Sequence, residues 1–550
     1  MKKKWLKQYP DTIPHTIDMG KYESLLDIIE ESFDRFGDKT AYSNMGQSLT
    51  FSDVAEQSET IAAYFQSLPH LKQGDRVAIM MPNLLQYPIV LFGILRAGLT
   101  VVNLNPLYTA HELEHILSDS KASALVVLEN FAHVFEEIKD RVSVKYVFTS
   151  RIGDALRFPK RLLVNWVVHS VKKMVPDFNL PDATPIREIL NQTPSSYSRP
   201  TLSQKDLAFL QYTGGTTGIS KGAMLSHGNI IANLLQIKSW VAPFIAVGEE
   251  KVLTPLPLYH IFSLTANLLT FCHLGGHLIL ITNPRDIPLF IKTISSTPFT
   301  VMTGVNTLFN SLANHRQFKD IDFSQLKFSI GGGMAVQKDV ATRWQTITQS
   351  PLIEGYGLTE SSPVACVNLI SSTAYSGAIG FPLPSTELSI RHENGTRCQT
   401  NEEGEIWIKG PQVMQGYWER KKETQATLTP DGWLKTGDIG RMDERGQFYL
   451  VDRKKDMILV SGFNVYPNEV ENAAMLHPDV KEAAAIGVPN KHSGEVVKLY
   501  CVRHTNTLTE SELRQHCKKY LTHYKLPKVV EFKDHLPKTN IGKILRRALR

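Results

Sequence analysis

Cysteine is scarce in this chain: five in 550 residues, Cys272, Cys366, Cys398, Cys501 and Cys517, scattered, odd in number and never spaced as Cys-x-x-Cys. That argues against a disulfide framework and a zinc knuckle and fits reduced cytosolic thiols. A secretory leader is lacking too, because the basic start Lys2-Lys3-Lys4 runs into Gln8, Asp11, His15 and Asp18 instead of an apolar stretch. The run Ile261 to Ile281 holds 21 residues without an acid, Lys or Arg, nominally enough to span about 30 Å of hydrocarbon. Asn267, His273, Gly275, Gly276 and His277 interrupt it, so it reads as a buried helix over 262–271 followed by a buried strand over 277–281. Internal repeats, low-complexity tracts and a basic-aromatic platform for nucleic acid are absent as well.

What remains is ordinary globular composition, 42% hydrophobic and 21% charged, in a chain long enough for three or four folded units. The formal charge of +6 is uneven: from Met457 onward there are 15 basic and 9 acidic residues, and the preceding part balances. Apolar strand-like runs, Arg76-Val-Ala-Ile-Met-Met81 and Ala124-Leu-Val-Val-Leu128, alternate with helical stretches such as 89–95, and the rhythm recurs from Leu207 to Ile330. This predicts an α/β body of layered sheets. Residues 387–408 and 446–451 read as short antiparallel strands with turn signals at 393–395 and 443–446, a β-rich end to that body. The charged run 452–456 is a natural joint, so the expectation is a large N-terminal domain (1–451), a hinge (452–456) and a small, mobile α+β C-terminal domain (457–550). Lys160, Arg161, Lys172 and Lys173 bracket an apolar stretch. The pattern fits a helix packed on the body with its basic ends solvated, the more ordinary arrangement, and also an interfacial helix on a membrane.

The richest segment is Tyr212-Thr-Gly-Gly-Thr-Thr-Gly-Ile-Ser-Lys-Gly222, entered from an apolar strand. Gly214, Gly215 and Gly218 let backbone N–H groups converge on an anion, Thr213, Thr216, Thr217 and Ser220 add hydroxyls, and Lys221 adds a cation. It is built to hold phosphate. A Walker loop needs Gly-Lys-Ser/Thr, whereas here Ser220 precedes Lys221 and Gly222 follows. No Gly-x-Gly-x-x-Gly follows a strand to suggest a dinucleotide fold.

Downstream come Pro257 to Phe262 with His260, Gly331-Gly332-Gly333, Glu354-Gly355-Tyr356-Gly357-Leu358-Thr359-Glu360, Thr436-Gly437-Asp438, Arg453, and Pro537 to Lys543. In this order the chain resembles the adenylate-forming superfamily over nearly its whole length. Asp431 to Gly440 and Val451 to Lys455 are similar to the signature of bacterial long-chain fatty-acid CoA ligases. The resemblance implies two steps: fatty acid and ATP give an acyl-adenylate and pyrophosphate, then coenzyme A displaces AMP.

It also implies roles. The loop Thr213 to Lys221 cradles the β and γ phosphates, Thr359 meets the α-phosphate, and Glu360 helps to hold Mg²⁺. Tyr356 stacks on adenine beside Gly331 to Gly333, within a nucleotide segment that includes Glu354, Gly355 and Gly357, while Asp438 and Arg453 hold the ribose. His260 lines the carboxylate end of the acyl pocket, with 261–271 as one of its walls. Lys543 contacts the carboxylate and α-phosphate during adenylation and then leaves, Lys455 is the hinge position, and Ser461, Gly462 and Phe463 border the coenzyme A tunnel. A homodimer follows by family analogy alone. The same motifs serve medium-chain and aryl CoA ligases, fatty-acyl-AMP ligases and luciferase-like oxidases. A Gly-Gly-x-Ser carrier site and a Ser-Lys-Leu end are missing, which points to coenzyme A transfer in a bacterial-type cytoplasm.

Overall fold

The run Ala124 to Leu128 has no polar face to offer water and must be covered on both sides. It lies in strand Ala122–Leu128, inside a seven-stranded sheet ordered Thr184–Pro185, Tyr146–Ser150, Ala122–Leu128, Arg76–Met80, Thr100–Asn103, Leu207–Thr213, Lys221–Ser226. Every pair is parallel except the last. The computed structural model describes residues 3–192, 196–213, 220–461, 463–490, 493–539 and 542–550.

A second sheet of nine strands runs from Phe381–Pro382 at one edge to Gln47–Thr50 at the other, with His277–Leu280, Lys251–Thr254, Val301–Gly304, Phe328–Gly331 and Leu352–Gly357 parallel in its centre. One hydrophobic core joins strands of both sheets with helices Leu25–Phe36, Phe51–Ser67, Gln86–Arg96 and His227–Val241. Every residue of Gln86–Arg96 is buried. A Cβ on Gly93 would lie 2.5 Å from the Ile61 side chain, so the two helices cross at a position that only glycine fits.

The β-rich end is a four-stranded antiparallel sheet of Glu387–Arg391, Gly404–Lys409, Leu434–Met442 and Phe448–Arg453. Beyond it, a five-stranded sheet (Phe463–Val465, Ile458–Val460, Gly494–Arg503, Val480–Asn490, Val529–Phe532) packs with helices Pro467–Met475 and Glu510–Cys517 around a core of its own, including Val465, Val470, Leu499 and Leu513. Between the two sheets, Arg546 is ringed by Glu471 (2.7 Å), Asp452 (3.4 Å) and Asp456 (3.5 Å). This large layered body with a smaller α+β unit is the α/β architecture expected.

Two segments depart from expectation. The buried helix in the apolar run begins at Ile261 and reaches His273, but its middle, Leu264–Leu269, is wound as a π-helix. The Thr270 hydroxyl donates to the Thr265 carbonyl five residues back (2.7 Å), and Asn267 donates to Ser263 and Thr303. These bonds complement the wider turn in a setting with no water. Among the described residues, no helix is long and apolar enough to cross a membrane. The second is helix Lys160–Trp166, continued by the π-turn Val167–Val171, which has no buried residue. A helix packed on the body would cover its apolar side, and this one does not.

Candidate active site

Thr213 and Lys221 face each other across the antiparallel strand pair that closes the seven-stranded sheet. The glycine-rich sequence therefore joins two paired antiparallel strands. Gly214, Gly215, Thr216, Thr217 and Gly218 lie outside the described residues, but Thr213, Ser220 and Lys221 line a cavity of about 1280 Å³. Segment 416–418 lies along this strand edge: Met224 N–H donates to Gly416 O (2.9 Å) and Trp418 N–H to Gly222 O (2.8 Å). Tyr417 is thereby set in place, with the Lys221 ammonium 5.3 Å over its ring and its hydroxyl donating to Glu360 Oε1 (2.7 Å). The ring thus separates a cation from a carboxylate and holds both at the cavity wall. Nothing in the local sequence marks Tyr417, since the link exists only once the strands have paired.

Glu360 follows Thr359 in the single turn Thr359–Ser361, just after strand Leu352–Gly357. That strand must pass close to the chain at 363–364: a Cβ on Gly357 would stand 1.9 Å from Pro363 O. Gly332, Gly333, Gly355, Tyr356, Gly357, Thr359 and Glu360 all line the cavity; Gly331 sits just behind, in strand Phe328–Gly331. The Tyr356 hydroxyl donates to Asp438 Oδ2 (2.7 Å), and Arg453 Nε lies 3.1 Å from Asp438 Oδ1. Asp438 and Arg453 are partners in adjacent strands, so the pairing register itself makes the ion pair. Asp438 keeps the Arg453 guanidinium charged. Glu354 stands apart from this group. Its side chain lines a second cavity of about 440 Å³ with Val336, Tyr375 and Tyr466, accepts the Val336 N–H (3.2 Å), and is pushed up to about 8 by burial.

The loop before His260 is latched from behind. Asn83 donates to Thr254 O and Leu256 O (3.1 and 2.9 Å) and accepts from Leu258 N–H (2.8 Å), while Gln211 donates to Tyr259 O (2.8 Å). Both amides are buried polar residues among apolar neighbours, the one signal a sequence could offer for them. His260 Nδ1 accepts the Phe262 N–H (3.3 Å), which leaves the ring proton on Nε2. Burial first, and Lys543 second, bring the imidazole down to about 4, so the ring is neutral at pH 7. Past His260 the cavity turns apolar. Ile261, Phe262 and Ala266 form one wall, as expected, and Ile237, Trp240 and Val241 at the end of helix His227–Val241 form another that the linear sequence does not reveal.

Lys543 arrives from the C-terminal unit. Its loop is fixed to the body by the Thr307 hydroxyl, which donates to Gly542 O (3.1 Å), and internally by Lys543 N–H donating to Thr539 Oγ1 (3.0 Å). Lys543 lines the same cavity as Lys221, Thr359 and Arg453. Desolvation, and then Arg453, lower its ammonium to about 7. Lys455 is lowered to about 8, again by burial and then by Arg453. Ser461 and Phe463 are not brought to the cavity: Ser461 N–H donates to Ser493 O, and Phe463 is exposed and stacked on Tyr524 at 4.9 Å. Gly462 lies outside the described residues.

The model of the AMP-binding enzyme family matches residues 29–418, and that of the AMP-binding enzyme C-terminal domain matches 469–543. A long-chain-fatty-acid–CoA ligase of Yersinia pestis is 54% identical over 551 aligned positions, covering 100% of this chain and 98% of that protein, and one of Bacillus subtilis is 39% identical over 100% and 97%. Among solved structures, ATP-bound MatB from Rhodopseudomonas palustris superposes with a TM-score of 0.83 at 26% identity, covering 96% of this chain and 98% of its own. The chain therefore belongs to the AMP-binding, adenylate-forming enzyme family and stands within it alongside the long-chain-fatty-acid–CoA ligases.

Proposed function

We propose that this chain is a long-chain fatty-acid CoA ligase that forms an acyl-adenylate from ATP and then an acyl thioester from coenzyme A. The observation that carries the reading is one cavity with two characters. Its polar end gathers Lys221, Thr359, Glu360, Arg453 and Lys543, and its other end is apolar from Phe262 to Trp240.

The first step joins two anions, so the site must neutralise charge and align a carboxylate oxygen with the α-phosphorus opposite the leaving pyrophosphate. Lys543 and Lys221 supply the cations, and Thr359 a hydroxyl for the α-phosphate. Neutral His260, with its proton on Nε2, donates to the fatty-acid carboxylate without fixing it as a salt. Tyr356 and the glycines 331–333 receive adenine, and Asp438 with Arg453 receives ribose. Glu360 suits a Mg²⁺ ion: a hard cation takes one or two carboxylate oxygens together with substrate phosphates, and this carboxylate is held by Tyr417 beside Lys221 at the cavity wall. Bound with ATP, the ion would offset phosphate charge.

In the second step the thiol sulfur attacks the acyl carbon and AMP leaves. In the present arrangement Lys543 lines the cavity, while Ser461 and Phe463 do not. Rotation of 457–550 about 452–456, with Lys455 as pivot, exchanges these faces. Peripheral contact with the cytoplasmic membrane face is compatible with this reading and is not required by it.

Mass spectrometry of products formed with ATP, Mg²⁺, coenzyme A and equal acetate, octanoate, palmitate, oleate and coumarate tests it. Palmitoyl- and oleoyl-CoA with equimolar AMP are expected. Acyl-adenylate without thioester, or no AMP, overturns the reading. The apolar wall makes a further prediction: Ala266→Phe fills the pocket and lowers kcat/KM for palmitate about 10- to 200-fold, leaving octanoate within about threefold. Competition between the two acids in one reaction checks this, and equal losses for both would remove the wall from the acyl site.

A further inference from the structure

Residues 157–174 carry apolar side chains that the rest of the molecule leaves uncovered. Phe158 is 73% exposed, Leu163 59%, Trp166 58% and Leu162 54%, with Val171 and Met174 exposed nearby. Scattered exposed apolar residues are normal, but six in one short segment are not. Leu162, Leu163 and Trp166 share one side of the helix. Asn165, on another side, is tied to the body by accepting the Gly153 N–H (2.8 Å) and donating to Asp154 Oδ1 (3.1 Å). The ends are tied too, by Lys160 donating to Met45 O and Asn130 donating to Met174 O. The segment is thus anchored by polar contacts and turns its apolar side outward.

Its charge says what covers it. From Ala155 to Met174 there are five cations, Arg157, Lys160, Arg161, Lys172 and Lys173, and no Asp or Glu. Pairing with the same face of a second copy would set cations against cations. An anionic bilayer satisfies both features, with lipid tails for the apolar row and headgroups for the flanking bases.

We propose that residues 157–174 are a membrane-docking face that inserts Phe158, Leu162, Leu163 and Trp166 below the headgroups of an anionic leaflet. The ligase reading supplies only its purpose, meeting a poorly soluble acid where it partitions; docking itself stands apart from that reading.

The full chain provides its own probe, because Trp166 is exposed while Trp5, Trp240, Trp344, Trp407 and Trp433 are buried. With vesicles of phosphatidylglycerol and phosphatidylethanolamine, sedimentation should show binding that weakens in high salt and is much lower on pure phosphatidylcholine. Brominated lipids should quench tryptophan emission, and Trp166→Phe should remove most of that quenching yet still bind. The double change Leu162→Glu and Leu163→Glu, at exposed positions that do not threaten folding, should lower partitioning about tenfold or more and leave octanoate activation in solution unchanged. Absence of vesicle binding, binding indifferent to the double change, or no loss of quenching in Trp166→Phe overturns the proposal. So does a dimer in sedimentation velocity that the double change dissolves. Ligase activity without docking leaves the ligase reading intact, and docking without ligase activity does the reverse.

Discussion

Lys543→Ala is expected to slow acyl-adenylate formation by about 10²–10³-fold, the usual loss when a preorganised group facing developing charge is removed. Thioester formation from synthetic palmitoyl-adenylate and coenzyme A should stay within about threefold, because Lys543 has no part in that attack. Single-turnover assays of the two half-reactions check both. Equal rates for wild type and variant in the first would remove the lysine from the chemistry. The pH dependence has a definite sign. The ammonium is the useful form, and burial brings it to about 7 in the unliganded enzyme. The kcat/KM for ATP, which reports free-enzyme ionisation, should therefore fall as pH rises through about 7. Lys543→Arg, with a side chain that stays charged, should flatten that alkaline limb even if its absolute rate is lower.

Lys455→Pro is expected to do the opposite, sparing adenylation within about threefold and slowing thioester formation about 100-fold. The turn after strand Phe448–Arg453 is closed by Asp456 N–H (3.0 Å) and Met457 N–H (3.2 Å), both donating to Arg453 O. Neither bond uses the Lys455 N–H, so proline at this position removes neither. Proline therefore suits the present arrangement and resists the changed backbone angles that rotation needs. The same two assays decide it. If both half-reactions fall alike, or neither falls, Lys455 is not the pivot.

The parts of this molecule legible in its sequence are those whose meaning lies in neighbouring residues. The glycines, hydroxyls and lysine of 213–221 announce the adenylate-forming family, and the alternation around 76–128 announces parallel layers, because each signal sits within one element. The missing parts depend on pairing between distant elements. Tyr417 gains its place only when 416–418 lies along strand Lys221–Ser226. Trp240 becomes a pocket wall only when its helix meets the π-wound segment, and Arg546 becomes a clamp only when Asp452, Asp456 and Glu471 converge on it. The segment at 160–174 was ambiguous for another reason: an amphipathic pattern states that a helix has an apolar side and is silent about whether protein or lipid receives it.

The Thr307–Gly542 bond seats on the body a loop whose lysine loses its ordinary basicity there. An ammonium that is comfortable in water and is lowered to about 7 when seated makes seating a proton-linked event. Below the lysine's ordinary pKa near 10.5, the seated form binds protons less readily than the free one, so seating the loop of the empty enzyme costs more at neutral than at alkaline pH. A polyanion in the cavity reverses this by giving the ammonium a counter-charge. On the proposed function ATP would then act as the latch as well as the substrate, and the small domain would commit to the first half-reaction only once there is something to adenylate with.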